Sequence, residues 1–530
     1  MLSRERQRRR VPQTWGDPVE KNNESRLSNT FRNFRFGAAA QLVVTLLGFV
    51  SRTVFMRVLG EEYLGINGLY TSILDVLSLT ELGLADVVVF SLYKPLAQGD
   101  TKHLTALMGY YKTIYRIIAL TVGTIGLALV PFLRVLVKSE IDSFHLVLYY
   151  LMFLANSVCS YLLVYKSSII QADQKRYLIS KYTMLFKLLT TAAQIILLLT
   201  TRNFTVYLTV QITMTVANNF YVSRKADALY PFIREKAELP REEKKSIFRD
   251  VRHMFSYKAG GQLLNGTDNL YISSMISTAT VGILDNYTMI QTMVVTGFTN
   301  TVNQAVLGSI GNLNAIGTRE QKHRVFEAYS LAFTWLTSFC TLSLLALYNP
   351  FIRLWAGEEW LLPMSTVSII CLNFFLPNVL TPVWSYRNTT GLFRETKNIL
   401  LYAAGINLVL SYFLGVRFGL AGILAATSLS RLSTSFWFEP YLLHKRIFET
   451  SSLPYFLRQG LHLGIVALSY CMIFLLSQAA GLGPWGDFLM RGVLCLLLPN
   501  GLMLLVNRKT EAFRYLYEKV LARISQRRFE

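Results

Sequence analysis

Apolar stretches of about 20 residues recur from Phe36 to Asn507, with short charged gaps between them. Lipid offers no water to the backbone, so each stretch that crosses a bilayer must form a helix. The chain is therefore predicted to be an all-α polytopic membrane protein. We predict fourteen spans, near residues 36–58, 68–93, 115–137, 145–165, 182–200, 203–222, 255–277, 283–308, 326–348, 361–385, 397–414, 418–443, 459–478 and 486–507.

The basic residues predict the orientation of these spans. Lys and Arg number 53 against 32 Asp and Glu, a net charge of +21, and most of them fall in the two termini and in alternate gaps. Basic loops stay on the cytoplasmic side, so both termini are predicted to be cytoplasmic. The charge is thus explained without nucleic acid as a partner, and the outer gaps are too short for a folded extracellular domain.

A basic segment containing Pro231 and Pro240 separates six predicted spans from the other eight. We predict a basic tail, two six-helix bundles joined by this linker, two further helices and a second basic tail. The boundaries are 1–35, 36–222, 223–254, 255–445, 446–507 and 508–530.

A shift of 217 residues brings similar segments of the two predicted bundles together. It places LGI at 64–66 on VGI at 281–283, and YTSI at 70–73 on YTMI at 287–290. Six spans separate the two segments, so both bundles have the same orientation and form a parallel repeat. Such repeats build alternating-access transporters, with the substrate between the halves.

Charges left inside spans are candidate site residues, because a charge at mid-membrane costs about 2.5–3.5 kcal/mol on insertion scales. The first span holds Arg52 and, nearer its outer end, Arg57; the second holds Asp75, Glu81 and Asp86. Asp75 and Asp86 would share a face of one continuous helix. These acids either pair with Arg52 or line a polar cavity, and the two alternatives are compatible.

The seventh and twelfth spans supply further candidates. Arg431 lies midway along span 12, and the start of span 7 is unusually polar, with Lys258, Gln262, Asn265, Asp268 and Asn269. Nearby glycines permit close helix approach or local unwinding. The polar run either lines the cavity or joins helices by hydrogen bonds. Pro377 and Pro382 are predicted to bend or break span 10.

Nothing in the sequence predicts catalysis, a metal or a cofactor. The chain has no GxxxxGK[ST] phosphate loop, and its six histidines show no metal-binding spacing. The five cysteines all fall in apolar spans, where small buried side chains are expected. We therefore predict that the protein is not an enzyme.

Several segments resemble the polysaccharide transporter branch of the multidrug/oligosaccharidyl-lipid/polysaccharide exporter superfamily. They are SRTVFMRVLGEEYLGINGLYTSILDVLSLTELGLADVVVFSLYKPLA in spans 1–2, GTDNLYISSMISTATVGILDNYTMI in spans 7–8 and FGLAGILAATSLSRL in span 12. The resemblance implies a bacterial cell-membrane flippase that moves an undecaprenyl-diphosphate-linked oligosaccharide from the inner to the outer leaflet. Its implied partners are that lipid-linked oligosaccharide, the bilayer, a glycan polymerase and glycosyltransferases.

The resemblance also implies roles for two cations. In related lipid II flippases, arginines in the first span of each half bind the phosphates, and Arg52 corresponds to the first of these. Lys258 is the only cation at the start of span 7, so the second match is partial. Three alternatives remain: a lipid II flippase, an ion-coupled drug or cation antiporter using Asp75, Glu81 or Asp268, and a membrane glycan polymerase or ligase.

Overall fold

A computed structural model describes residues 23–78, 84–173, 175–235, 237–396 and 398–526, and side chains over most of 46–519. The described residues divide into two compact units between Val50 and Ser51, and every contact discussed below lies within the second. All regular elements in the described ranges are helical. The α-helices are α1 Asn23–Leu77, α2 Leu84–Gln98, α3 Thr101–Ala128, α4 Leu133–Leu136, α5 Ser143–Val164, α6 Ser167–Ala172, α7 Arg176–Thr201, α8 Phe204–Leu229, α9 Arg241–Gly266, α10 Asp268–Met275, α11 Thr278–Val294, α12 Asn300–Ile316, α13 Arg319–Trp355, α14 Met364–Val379, α15 Thr381–Thr390, α16 Phe393–Thr396, α17 Ile399–Ser433, α18 Ser435–Leu443, α19 Leu453–Ala480, α20 Pro484–Asn507 and α21 Glu511–Gln526.

Short helices of other types complete the described chain. Three are 3₁₀-helices, at Val130–Phe132, Pro231–Arg234 and Glu358–Trp360. Two are π-helical, at Val295–Thr299 and His444–Phe448.

Eight helical segments in the described ranges are long and apolar enough to cross a membrane by length and composition. They cover predicted spans 3, 4, 5, 9, 10, 13 and 14, and one of them, Ile399–Phe448, covers both 11 and 12. The other predicted spans coincide with α1, α2, α8 and α9 to α12. The prediction of an all-α polytopic membrane protein is confirmed.

Two turns between spans are single glycines inside what is otherwise one helix. Gly60 interrupts α1 with φ 83°, and Gly419 interrupts α17 with φ 58°. Residues other than glycine rarely adopt a positive φ, because their Cβ atom clashes with the backbone. Glycine is therefore the residue that allows each helix to turn there. Span 2 therefore begins at Glu61, and span 12 begins at Leu420.

The predicted bend or break in span 10 is present, and span 7, where glycines permit local unwinding, is interrupted as well. In span 10, α14 ends at Val379 and α15 begins at Thr381, because Pro382 cannot donate the backbone hydrogen bond that a continuous helix requires. In span 7, α9 ends at Gly266 and α10 begins at Asp268.

The helices differ from the predicted segments in three places. Span 2 is not one continuous helix, since α1 ends at Leu77 and α2 begins at Leu84. Much of the predicted linker 223–254 is helical, because α8 runs to Leu229 and α9 starts at Arg241. The predicted C-terminal tail contains α21, whose Phe513 ring stacks on Trp335 at 6.3 Å.

The 217-residue shift reappears as a reciprocal contact between the start of span 2 and α11. A Cβ atom on Gly65 would lie 1.9 Å from the Thr278 carbonyl oxygen, and one on Gly282 would lie 2.3 Å from the Glu61 carbonyl oxygen. The two glycines are 217 residues apart, and so are Glu61 and Thr278. The contact is therefore the same on both sides, as a two-fold relation between parallel repeats requires.

Candidate functional site

The two predicted bundles, called the first and second halves below, hydrogen-bond near one end of their spans. The Trp355 indole N–H donates to Thr53 Oγ1 at 2.7 Å. The Thr278 backbone N–H donates to the Lys138 carbonyl at 3.0 Å, and Lys138 Nζ donates to the Met275 carbonyl at 3.0 Å. By the predicted orientation this is the outer end, so these bonds hold the outer ends of the halves together.

Arg52 directly precedes Thr53 in α1 and also lies between the halves. It is eight residues before the Gly60 turn, which is about 12 Å along a helix. Its Nε donates to Asn286 Oδ1 of α11 at 2.9 Å, and the Asn286 side chain is fully buried. Its Nη2 is also buried and has no hydrogen-bond partner among the described residues. A guanidinium nitrogen left in this state is a strong donor for an incoming oxyanion.

Asp285 directly precedes Asn286 and brings a negative charge to this contact. The sequence analysis missed this residue. Its carboxylate interacts electrostatically with Arg52. The carboxylate fits because the facing residue is Gly68: a Cβ there would lie 2.1 Å from Asp285 Oδ2. An acid inside predicted span 8 was the available signal, and the 217-residue shift aligns that acid with Gly68.

Asp75 is the one acid of span 2 whose side chain the structure describes, and it is not paired with Arg52 there. The described partner of Arg52 is Asn286, and Asp75 is exposed. Glu81 and the side chain of Asp86 lie outside the described residues. The shared face of Asp75 and Asp86 assumed one continuous helix, and the helix ends between them.

The polar residues of span 7 separate into two roles. Asn269 Nδ2 donates to Ser72 Oγ at 2.9 Å, which joins the halves. Gln262 is half-buried close to Gly266, while the side chains of Lys258 and Asn265 lie outside the described residues. Only Asp268 joins Arg431, in a cluster of the second half.

That cluster connects three spans through buried hydrogen bonds. Thr427 Oγ1 donates to Asp268 Oδ2 at 2.9 Å, and Asn407 Nδ2 donates to Thr427 Oγ1 at 2.9 Å. Arg431 is 6% exposed and interacts electrostatically with Asp268. Carboxylate, hydroxyl and amide oxygens together are the ligands that hard cations prefer. Asn407 and Thr427 were missed, because neutral polar residues on separate spans show no spacing in sequence.

Comparisons with known proteins agree with this fold. A family model described as "Polysaccharide biosynthesis protein" matches residues 30–307. The lipid II flippase MurJ in an inward closed conformation is similar with TM-score 0.69 and 13% identity, over 89% of this chain and 98% of that chain. An inward-facing multidrug resistance MATE transporter gives TM-score 0.62 and 14% identity, over 77% and 96%. A mutant of the MATE transporter VcmN from Vibrio cholerae gives 0.53 and 15%, over 77% and 94%. The search of curated proteins finds no match.

Proposed function

The chain belongs to the polysaccharide biosynthesis protein family, and on that premise we propose that it flips an undecaprenyl-diphosphate-linked oligosaccharide from the inner to the outer leaflet. Family and fold together make it a membrane flippase or transporter. The substrate, the direction and the alternating-access mechanism are the proposal. The observation that carries it is the buried Nη2 of Arg52 between the halves, which has no hydrogen-bond partner among the residues that the structure describes.

The chemistry of such a ligand suits Arg52. A pyrophosphate offers several anionic oxygens, and a guanidinium binds them through parallel, charge-assisted hydrogen bonds. Arg52 Nε is already fixed by Asn286, so the side chain is held in place before a ligand arrives. The lipid tail can remain in the bilayer while the polar glycan crosses between the halves.

The closed outer end favours loading from the inner leaflet. The hydrogen bond from Thr278 to Lys138 lies between Arg52 and the predicted outer surface, and the bond from Trp355 to Thr53 joins the halves at nearly the depth of Arg52. Export then requires these bonds to break while contacts at the inner end form. This is the exchange that a parallel two-bundle transporter makes around a fixed site.

The test replaces Arg52 in a strain whose only copy of the gene encodes the variant. Arg52→Gln keeps much of the length and removes the charge, and a lost charged hydrogen bond of about 1.5–3 kcal/mol predicts roughly a 10- to 100-fold loss of export. Glycan-loaded lipid carrier should accumulate in the inner leaflet. Arg57→Gln is the matched control, because Arg57 is exposed near the outer end of the same span. Equal losses in both variants, or normal surface glycan with Arg52→Gln, would refute the proposal.

The Asp268 cluster favours a second candidate, an ion-coupled antiporter of the same fold. A carboxylate with hydroxyl and amide neighbours can take a cation or a proton. On this hypothesis Asp268→Asn raises sensitivity to cationic drugs and leaves surface glycan unchanged. Loss of surface glycan without a change in drug sensitivity favours the flippase.

A further inference from the structure

Two histidines and a glutamate meet where the predicted inner ends of spans 9 and 12 come together. His323 and Glu327 lie one turn apart near the start of α13, and His444 begins the π-helical segment after α18. One ligand atom from each lies within 4.8 Å of the other two. The sequence analysis found no metal spacing because His444 is more than 100 residues away from the other two.

Two of the three ligand atoms are left available by a bond made elsewhere on the same side chain, those of His444 and Glu327. His444 Nδ1 lies 2.8 Å from the Pro440 carbonyl oxygen, so Nδ1 carries the proton and Nε2 keeps its lone pair. Arg458 of α19 forms an ion pair with Glu327 Oε2, which leaves Oε1 facing His323. Metal-binding histidines and carboxylates are usually oriented by such outer partners.

We propose that His323, Glu327 and His444 form a zinc site, with water as the fourth ligand. Zinc bonds of about 2.0–2.2 Å in a tetrahedron place neighbouring ligand atoms about 3.4 Å apart. His323 Nε2 and Glu327 Oε1 are already 3.6 Å apart, and the His444 ligand atom lies within 4.8 Å of both, so closing the site requires a side-chain movement of about 1 Å. Two imidazole nitrogens and one carboxylate suit zinc and disfavour calcium and magnesium.

The surroundings hold the site in shape. His444 is 2% exposed and its ring contacts Phe326, Phe448 and Tyr455. The side chain of His323 is 34% exposed, which leaves a path for the ion. A bound ion would fix the start of α13 to the end of span 12 within the second half. This inference does not depend on what the protein transports.

The experiment uses the full-length protein, purified in detergent with a tag that contains no histidine, and Co²⁺ as a spectroscopic probe of the zinc site. We expect one Co²⁺ per chain with the visible absorption of a tetrahedral ion, and Zn²⁺ should displace it. Glu327→Gln and His323→Gln should each weaken binding at least about tenfold. His145→Gln is the control, because His145 sits in an exposed pair with Asp142 on the outer side.

Folding is checked separately from binding. Zn²⁺ should raise the melting temperature of the wild type and of His145→Gln, because a ligand that binds only the folded state stabilises it. Zn²⁺ should leave the melting temperature of His323→Gln unchanged. This variant is expected to fold, because the His323 side chain is 34% exposed and its replacement disturbs little packing. A wild type that binds no Co²⁺, or binding that survives in both Glu327→Gln and His323→Gln, would overturn the proposal.

Discussion

Arg387 and Glu439 form an ion pair that is almost completely shielded from solvent. Their side chains are 5% and 1% exposed, and the Trp384 indole N–H donates to the second carboxylate oxygen of Glu439. The pair joins α15 to α18 inside the second half. Removing one partner of such a pair leaves a buried charge without compensation, which costs more than the pair itself contributes.

We predict that Arg387→Met lowers the free energy of unfolding by about 3–5 kcal/mol. Arg319→Met should change it by less than about 1 kcal/mol, because Arg319 and Glu449 form an exposed pair, 50% and 58% accessible. Thermal or denaturant unfolding of the purified variants in detergent measures both. Similar losses in the two variants would show that burial does not govern the Arg387 pair.

Arg52 shows which properties of a single site residue can be predicted from sequence. A cation within an apolar stretch is conspicuous, because lipid makes it costly, so Arg52 could be selected without a structure. Its partner could not be: Asn286 is 234 residues away and uncharged. The acids of span 2 were preferred as partners because the next helix in sequence is usually adjacent in space.

The crossing of span 2 and α11 at Gly65 and Gly282 is the element on which closure of the outer end depends. Neither position has room for a side chain, because a Cβ would strike a backbone carbonyl of the other half. We predict that Gly65→Val disfavours the closed outer end. The population of the closed state should fall about tenfold for each ~1.4 kcal/mol of clash.

Thiol cross-linking measures this population. With the five native cysteines replaced by alanine, Lys138→Cys and Thr278→Cys place thiols where a 3.0 Å backbone hydrogen bond now joins the predicted outer ends of the halves. A short cross-linker should join them efficiently, and much less so when Gly65→Val is added. Gly464→Val is the control, since nothing lies within 4 Å of a Cβ there. Undiminished cross-linking with Gly65→Val would contradict a closing role for the crossing.

A substitution at the Gly419 turn measures how much backbone strain alone changes the stability of the protein. A Cβ there meets nothing within 4 Å, but φ is 58° and ψ is −137°. Gly419→Ala should therefore destabilise the protein by about 1–3 kcal/mol through strain alone. Gly405→Ala, in the helical part of α17 with equally open space, should be neutral or stabilising by up to about 1 kcal/mol. Melting temperatures of the two variants in one detergent would test this. An unchanged melting temperature for Gly419→Ala would count against a turn that depends on glycine.

Sequence predicted helix interruptions better than it predicted connections. Proline and glycine act locally, so the breaks at Leu380 and Thr267 follow from the residues beside them. Residues 223–254 and 508–530 were predicted only as a linker and a tail, because they are polar and basic. Charged residues also form helices when one face packs, as Phe513 of α21 does on Trp335.

At the scale of the whole molecule, reporter fusions test the predicted orientation. Reporter fusions after Glu62 and after Lys236 should report opposite sides of the membrane, with Lys236 cytoplasmic. The reason is that basic loops remain inside. Activity of both fusions on the same side would overturn the orientation, and with it the designation of the outer end.

The fold itself was largely predictable from sequence. Lipid allows a crossing segment to be only a helix, so length and polarity locate the spans with little else known. How the spans pack was not predictable, because the Gly65 contact depends on residues 217 positions apart. The three residues of the proposed zinc site could not be found from sequence for the same reason, since two lie on α13 and the third follows span 12.

The pairing of Gly68 with Asp285 has a consequence for the history of the molecule. These residues are 217 positions apart and in contact, so they occupy one equivalent place in the two halves. In a dimer of identical subunits, an aspartate at that place would face its own copy, and two carboxylates would repel at membrane depth. Joining both halves in one gene allows one copy to remain glycine while the other carries the charge. A single acid beside Arg52 is thus an arrangement that a symmetric ancestor could not have held.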